Sequence, residues 1–299
     1  MVEAENYPQK NIAAQPLSLV YPFDWQGLET FDYRRDGQGV PMVAMGQKRG
    51  LVYHPITIAQ YGLFNLQKFA LHGNENYKKE VQICVRWLRE NIQPWNNEIN
   101  GWVFDFDLKF YGPEAPWISG MAQAQGISLL LRSQTLWPDD GILKMTRRAF
   151  QAFLQPVSQG GVVTHFPDGS LIFEEFPTDP PSLVLNGHIF ALLGIHDYAQ
   201  FWQEKAADEL FQVAVAGLKK NIERYDTGYW NWYDLYPLRR RLASPMYLQV
   251  HVRLLRILAD LTGDVFFRDL ARKWHNYLRN PASRIRWLLG KIAEKIRLK

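Results

Sequence analysis

The sequence predicts a mainly α protein, an (α/α) toroid of about four helix pairs with short β-hairpins between the pairs. A unit of helix, polar break and second helix recurs from Pro55 onward, its copies beginning roughly sixty residues apart. In each copy the first helix is apolar almost all round and carries small residues, while the second is amphipathic, with Lys and Arg on its other face. The segments between copies alternate apolar and polar residues, as half-buried strands do. Inner helices buried on most sides, ringed by outer helices facing water, satisfy all three observations and leave one end open as a cleft.

Residues 1–50 lack helical periodicity and carry Pro8, Pro16, Pro22 and Pro41, so they read as an extended arm with short strands. Their start, MVEAENYPQKN, has acidic residues and no apolar stretch, unlike a secretory leader. Residues 51–280 form the repeat. In the first unit Ile58, Tyr61, Leu63, Leu66 and Phe69 suit a helix, Gly73-Asn74 breaks it, and Val81, Cys84, Val85 and Leu88 make the second stripe. Later units open on MAQAQGISLLLR, LNGHIFALLG and YLQVHVRLLRILAD, with Gly62, Ala122, Gly126, Gly187 and Ala191 as small residues of the first helices. The expected hairpins are GWVFDFDLKFYG, then GGVVTHFPDGSLIFEEFP with a two-residue turn at Asp168-Gly169, then TGYWNWYDLYPLRR. Residues 281–299 read as a basic amphipathic helix outside the repeat, with Ile285, Leu288, Leu289, Ile292 and Ile296 on one face. Docking on the ring is the commoner fate of such a helix; the alternative is peripheral contact with a membrane surface.

Composition narrows the function classes. A net charge of +4 over 299 residues gives no reason to expect nucleic acid as a partner, whereas an acidic polysaccharide or oligosaccharide is compatible. The single Cys84 excludes an intrachain disulfide framework and any multi-cysteine metal site. The 7 His are scattered without ligand spacing, so neither metal nor cofactor is expected. No run approaches the roughly 20 apolar residues needed to cross a bilayer. The expectation is a cytoplasmic protein, with the inner membrane surface open to it through the C-terminal helix and its oligomeric state left open. Aromatics make up 14% of residues and include 11 Trp, whose flat apolar faces suit sugar rings as well as core packing.

Chemistry is expected where polar residues interrupt apolar context. His188 and His251 fall on first helices and read as hydrogen-bonded core residues. Glu174-Glu175 end the second hairpin between Ile172-Phe173 and Phe176-Pro177; strand alternation turns one inward and one outward. A carboxyl desolvated by aromatics has a raised pKa and serves as a general base or acid. The third hairpin supplies Tyr229, Tyr233, Asp234 and Tyr236, then Arg239, Arg240 and Arg241, whose guanidinium groups suit a substrate carboxylate. Tyr247 follows Pro245 at the start of the last first helix. Arg239, Arg240, Trp232, Gln125 and Asn186 are the candidate substrate-binding residues.

In order along the chain, GVPMVAMG, YHPITIAQYGL, WISGMAQAQGISLLLR, EEFPTDPPSLVLNG, YDTG and WYDL resemble stretches of the C-terminal α-helical domain of D-glucuronyl C5-epimerases, which convert glucuronic to iduronic acid within heparan-type chains. The likeness runs from about residue 39 to about residue 279, and the family's preceding β-domain is largely missing from it. The resemblance implies a two-base reaction without metal or cofactor. One group removes the proton beside the uronate carboxylate and another returns a proton on the opposite face. It carries these roles to Glu175, Tyr233 and Tyr247. Two positions depart from the family pattern: Phe176 stands where the family has Tyr, and Tyr236 where it has Arg, with Arg239, Arg240 and Arg241 nearby.

Two other readings stay open. A hydrolase or lyase on the same scaffold would pair Glu175 with Asp234, Asp105 or Asp107, since hydrolysis needs two carboxyls roughly 5 to 9.5 Å apart. A carbohydrate-binding relative without catalysis would keep the cleft and dispense with the proton relay.

Overall fold

Prolines and short polar side chains start most of the helices, and several end in a left-handed residue. The computed structural model describes residues 14–28, 30–46 and 49–296. Helix α1 (Pro55–His72) opens on proline, with His54 Nδ1 accepting the Thr57 N–H at 3.3 Å, and stops at Gly73. Asn74 caps α2 (Glu75–Asn91), Ser119 caps α3 (Gly120–Ser133) and Asp139 caps α4 (Asp140–Phe150). Next come α5 (Leu185–Trp202) and α6 (Lys205–Asn221). Ser244 caps α7 (Pro245–Thr262), which ends at Gly263, and Asp264 caps α8 (Val265–Arg279). A last helix, α9, spans Pro281–Ile296.

The protein is therefore mainly helical, and its pairs follow the repeat. Consecutive helices pack as α1 on α2, α3 on α4, α5 on α6 and α7 on α8, while the first helices pack in series, α1 on α3, α3 on α5 and α5 on α7. Every residue of α3 is buried, including the polar Gln123, Gln125, Ser128, Arg132 and Ser133 that interrupt its apolar run. Helices α3 and α5 approach closely enough that a Cβ on Gly194 would meet the Ala124 Cα at 2.5 Å. Between the same helices lies a buried ion pair. Both terminal nitrogens of Arg132 donate to the Asp197 carboxylate, and the Ser128 hydroxyl donates to it at 2.7 Å. The Tyr21 ring covers the guanidinium, its centroid 5.0 Å away.

Strands are short. An antiparallel sheet joins β1 (Arg34–Arg35), β2 (Pro41–Ala44) and β3 (Leu51–Val52), with Arg34 opposite Met42 and Val43 opposite Val52. Residues before it lack regular structure, yet Tyr21, Phe23, Trp25 and Phe31 are buried against the helices. The N-terminal residues that carry Pro8 lie outside the described part.

Of the three expected hairpins, the second forms. Strands β4 (Gln93–Pro94) and β5 (Asn100–Gly101) pair, and β6 (Val103–Phe104) pairs with β7 (Trp117–Ile118), so GWVFDFDLKFYG does not fold back on itself. Trp102 explains the divergence: its indole N–H donates to the Leu88 carbonyl and its backbone N–H to Gln123 Oε1, which sinks it into the core between β5 and β6. In the second segment β8 (Val163–His165) pairs with β9 (Leu171–Phe173). The Phe166 N–H donates to the Ser170 carbonyl, so the turn holds Pro167, Asp168 and Gly169, one residue more than the predicted turn, with Gly169 at φ 82°. The third segment makes only isolated bridges, Asp226 with Asn231, Trp232 with Leu242 and Val184 with Asp234. Its buried aromatics and the Asp234 carboxylate claim the backbone that a ladder would use.

Helix α9 docks on the rest of the chain, but not by its apolar stripe. Trp287 donates its indole N–H to the Ala243 carbonyl at 2.9 Å, Lys291 donates to the Leu242 carbonyl at 3.2 Å, and Glu294 accepts the Leu242 N–H at 2.6 Å. Ile285, Leu288, Leu289, Ile292 and Ile296 all face away from the protein.

Candidate active site

Four segments that the helix pairs hold together supply the site: the residues after β9, the irregular stretch 229–244, and the first turns of α5 and α7. Strand β9 runs straight into Glu174 and Glu175, and both are buried; the expected alternation of one inward and one outward carboxyl does not hold. Strand geometry ends at Phe173, so the following backbone is free to turn both side chains in. Glu174 is a structural anchor. Its carboxylate accepts from the Ser182 hydroxyl and from the Leu183 N–H at 3.0 Å, and its carbonyl accepts the Gly120 N–H that starts α3. Burial raises its pKa to about 7 against these bonds.

Glu175 instead faces a cavity of about 210 Å³ whose wall includes Trp25, His54, Met121, Asn186 and Tyr247. Asn186 Nδ2 donates to Glu175 Oε2 at 3.3 Å, and Gly187 makes room for that carboxyl, since a Cβ there would lie 2.4 Å from the Glu175 Cβ. Burial pushes the Glu175 pKa up to about 8, Arg241 pulls it down, and Glu174 pushes it up again. His54, half-buried and held near pKa 4 by desolvation, is neutral. Its Nδ1 accepts from Thr57, which leaves the proton on Nε2.

Tyr247 also borders a second cavity of about 210 Å³, together with Tyr233, Arg241 and Lys291. The Tyr233 ring meets that of Tyr247 edge to face, and the Arg241 guanidinium lies 4.6 Å above the Tyr233 centroid. Tyr233 holds its proton far above the usual range because it is buried and because Glu175 lies near. Arg241 is fixed from behind: Nε donates to Asp234 Oδ2 at 2.9 Å, Nη2 donates to the Tyr111 hydroxyl, and that hydroxyl donates to Asp234 at 2.7 Å. Phe176 stacks on the Tyr111 ring with centroids 4.9 Å apart. Tyr236 is buried too, its hydroxyl donating to the Tyr111 carbonyl at 3.3 Å.

Of the candidate residues, Glu175, Asn186, Tyr233 and Tyr247 are brought together. Arg239 and Arg240 are exposed; with Trp232 they line a neighbouring cleft that also borders Arg241, and Arg239 covers the Phe110 ring. Gln125 is fully buried on α3 and lines neither cavity. His188 accepts the Phe173 N–H on Nδ1, and His251 Nδ1 meets the Asn231 amide, so both belong to the core. Asp105 and Asp107 are exposed, Asp107 paired with Arg49. Among the described residues no group of three or more His, Cys, Asp or Glu could hold a metal ion. Sequence reasoning missed His54 and Tyr111, and did not single out Arg241 from its two neighbours. His54 lies in YHPITIAQYGL, where its place before a helix-starting proline was the available signal.

The family model described as D-glucuronyl C5-epimerase C-terminus matches residues 96–276. A D-glucuronyl C5-epimerase of Caenorhabditis elegans is 34% identical over 243 residues, covering 74% of this chain and 38% of that protein. An uncharacterised protein of Methanocaldococcus jannaschii is 27% identical over 176 residues, covering 58% of this chain and 56% of its own length. The chain thus spans less than two thirds of either relative.

Proposed function

Because the chain belongs to the D-glucuronyl C5-epimerase C-terminus family, we propose that it is an isomerase that inverts C5 of a uronic acid residue in an acidic polysaccharide or oligosaccharide, heparan- or heparosan-type glucuronate becoming iduronate. The observation that carries this reading is Glu175. It is a buried carboxyl whose pKa of about 8 suits proton transfer near neutrality, beside two tyrosines and an arginine fixed by Asp234. The series of first helices α1, α3, α5 and α7 supports a toroid over residues 51–280 with this site at its open end.

In the proposed reaction the Glu175 carboxylate takes the C5 proton, and the C–H electron pair moves into the C5–C6 bond to give an enediolate. Two negative oxygens then need a cation, and the Arg241 guanidinium, already oriented by Asp234 and Tyr111, meets that need. A tyrosine hydroxyl delivers a proton to the opposite face of C5. The resulting tyrosinate regains a proton from solvent, and Glu175 releases its own. His54 and Asn186 orient the sugar in the cavity. Glycoside hydrolysis fits less well, because both candidate second carboxyls are already engaged: Glu174 by Ser182 and the Leu183 N–H, and Asp234 by Tyr111, the Arg241 side chain and the backbone N–H groups of Tyr236 and Arg241.

The test is deuterium incorporation at C5 when the protein is incubated with heparosan oligosaccharides in D₂O. Exchange with appearance of iduronate supports epimerisation; no exchange with any glucuronate polymer sinks it. Phe176 favours a second reading, a carbohydrate-binding relative without turnover, because a phenyl ring stands at a position of proton transfer in the resemblance. That reading expects oligosaccharide binding that is unchanged by Glu175→Gln and never accompanied by exchange.

A further inference from the structure

Among the described residues none covers the outward stripe of α9. Ile285, Leu289 and Ile296 are 60%, 61% and 69% exposed, and Leu288 and Ile292 complete a continuous apolar face opposite the docked residues Ser283, Trp287, Lys291 and Glu294. Charge is sorted around it. Arg284 and Lys295 flank the stripe on one side and Arg286 on the other, all exposed, while Glu294, the helix's one acidic residue, turns inward. Next to Lys295, across a shared cleft, stands a second exposed apolar residue, Leu238 at 72%, followed by exposed Arg239 and Arg240.

We propose that this surface, the outward face of α9 with the tip Leu238–Arg240, rests on an anionic lipid bilayer as an interfacial anchor. An apolar stripe rimmed by cations matches the boundary between acyl chains and anionic headgroups. A second copy of the chain would satisfy the apolar residues, but pairing two such stripes sets cation against cation along their flanks. An acidic polysaccharide would satisfy the cations and leave the stripe in water. The helix lies on the surface rather than crossing it: no helix of the described residues is long and apolar enough to span a membrane. The cleft beside Lys295 also borders Arg241, so bilayer contact would put the candidate site within reach of a uronate carried at the membrane surface.

The experiment is sedimentation of the full chain with vesicles of phosphatidylcholine alone or mixed with phosphatidylglycerol, without any uronate present. Binding is expected to be at least about tenfold stronger to the phosphatidylglycerol vesicles and to weaken as salt is raised. Leu289→Glu combined with Ile292→Glu should abolish it with an unchanged thermal transition, since both side chains are solvent-facing. Failure of the unmodified chain to bind anionic vesicles overturns the proposal. So does a wild-type dimer that the double variant converts to monomer, which would assign the stripe to a second copy. Neither outcome touches the epimerase reading, which is measured in solution.

Discussion

The ring of Tyr233 stands edge-on to the ring of Tyr247, centroids 4.6 Å apart at 67°, so that the irregular stretch before α7 and the first turn of α7 present two hydroxyl-bearing rings side by side. The two differ in setting. Tyr233 is buried beneath Arg241, whereas Tyr247 is half-buried on the wall it shares between the two cavities. The expected outcome is that Tyr247→Phe lowers inversion by about 100-fold while leaving solvent exchange at C5, because Glu175 still removes and returns the proton on its own face. Tyr233→Phe should lower inversion and exchange together, by about tenfold. Product analysis and deuterium content measured on the same samples check both.

Glu175→Gln should abolish exchange and inversion, by at least about 1000-fold, and also stabilise the fold. An acid whose folded pKa of about 8 lies above its ordinary 4.5 keeps a proton that the unfolded chain has released, so stability falls as pH rises between those values. The gain from Gln should be about 1 kcal/mol at pH 5 and grow to about 4 kcal/mol by pH 8. Denaturant midpoints of both proteins at the two pH values measure it. For wild-type protein, the rate of C5 proton removal should rise with pH and level off above about 8.

Arg241→Lys should cost about 100-fold in kcat, because a lysine cannot hold Asp234 and Tyr111 and still face the substrate carboxylate with a planar fork. Asp234→Asn keeps the shape and weakens the hold on Arg241, so a smaller loss, about tenfold, is expected. Steady-state kinetics on both variants test the order; an Asn effect larger than the Lys effect would contradict it.

Gly187→Ala and Gly194→Ala separate site from scaffold. The first would push a Cβ onto the Glu175 side chain and the second onto the Ala124 backbone. Each should destabilise by about 1–3 kcal/mol. Only Gly187→Ala should also lower turnover per folded molecule, by at least about tenfold, through displacement of the carboxyl. Thermal unfolding followed by rate measurement on the folded fraction distinguishes them.

Much of this organisation is legible in the sequence. Gly73, Gly263, Pro55 and Pro245 mark helix ends by local chemistry alone, and the largely apolar MAQAQGISLLLR foretells an α3 buried on most sides; that its Gln123 and Arg132 are buried too is set by partners elsewhere in the chain. What local pattern cannot carry is long-range choice. Trp102 takes its partners from α2 and α3, its indole N–H donating to the Leu88 carbonyl and its backbone N–H to Gln123, which breaks the first expected hairpin. Three consecutive arginines look equivalent until Asp234 and Tyr111 select Arg241. Likewise α9 has an apolar face and a polar face, and periodicity cannot say that the carbonyls of Leu242 and Ala243 recruit the polar one.

The Arg132–Asp197 pair sits at the far end of α3 and α5 from Glu175, and its effect reaches the site as phase. Met121 lies near Asn186 as Arg132 lies near Asp197, and each member of the first contact precedes its counterpart on the same helix by about three turns. The two helices therefore run in step. Sliding one past the other by a single turn, about 5.4 Å, would strand a buried guanidinium and a buried carboxylate without partners. A greasy interface alone would tolerate several such offsets. The ion pair admits one, and in that one Asn186 is opposite Met121 with its amide turned to Glu175.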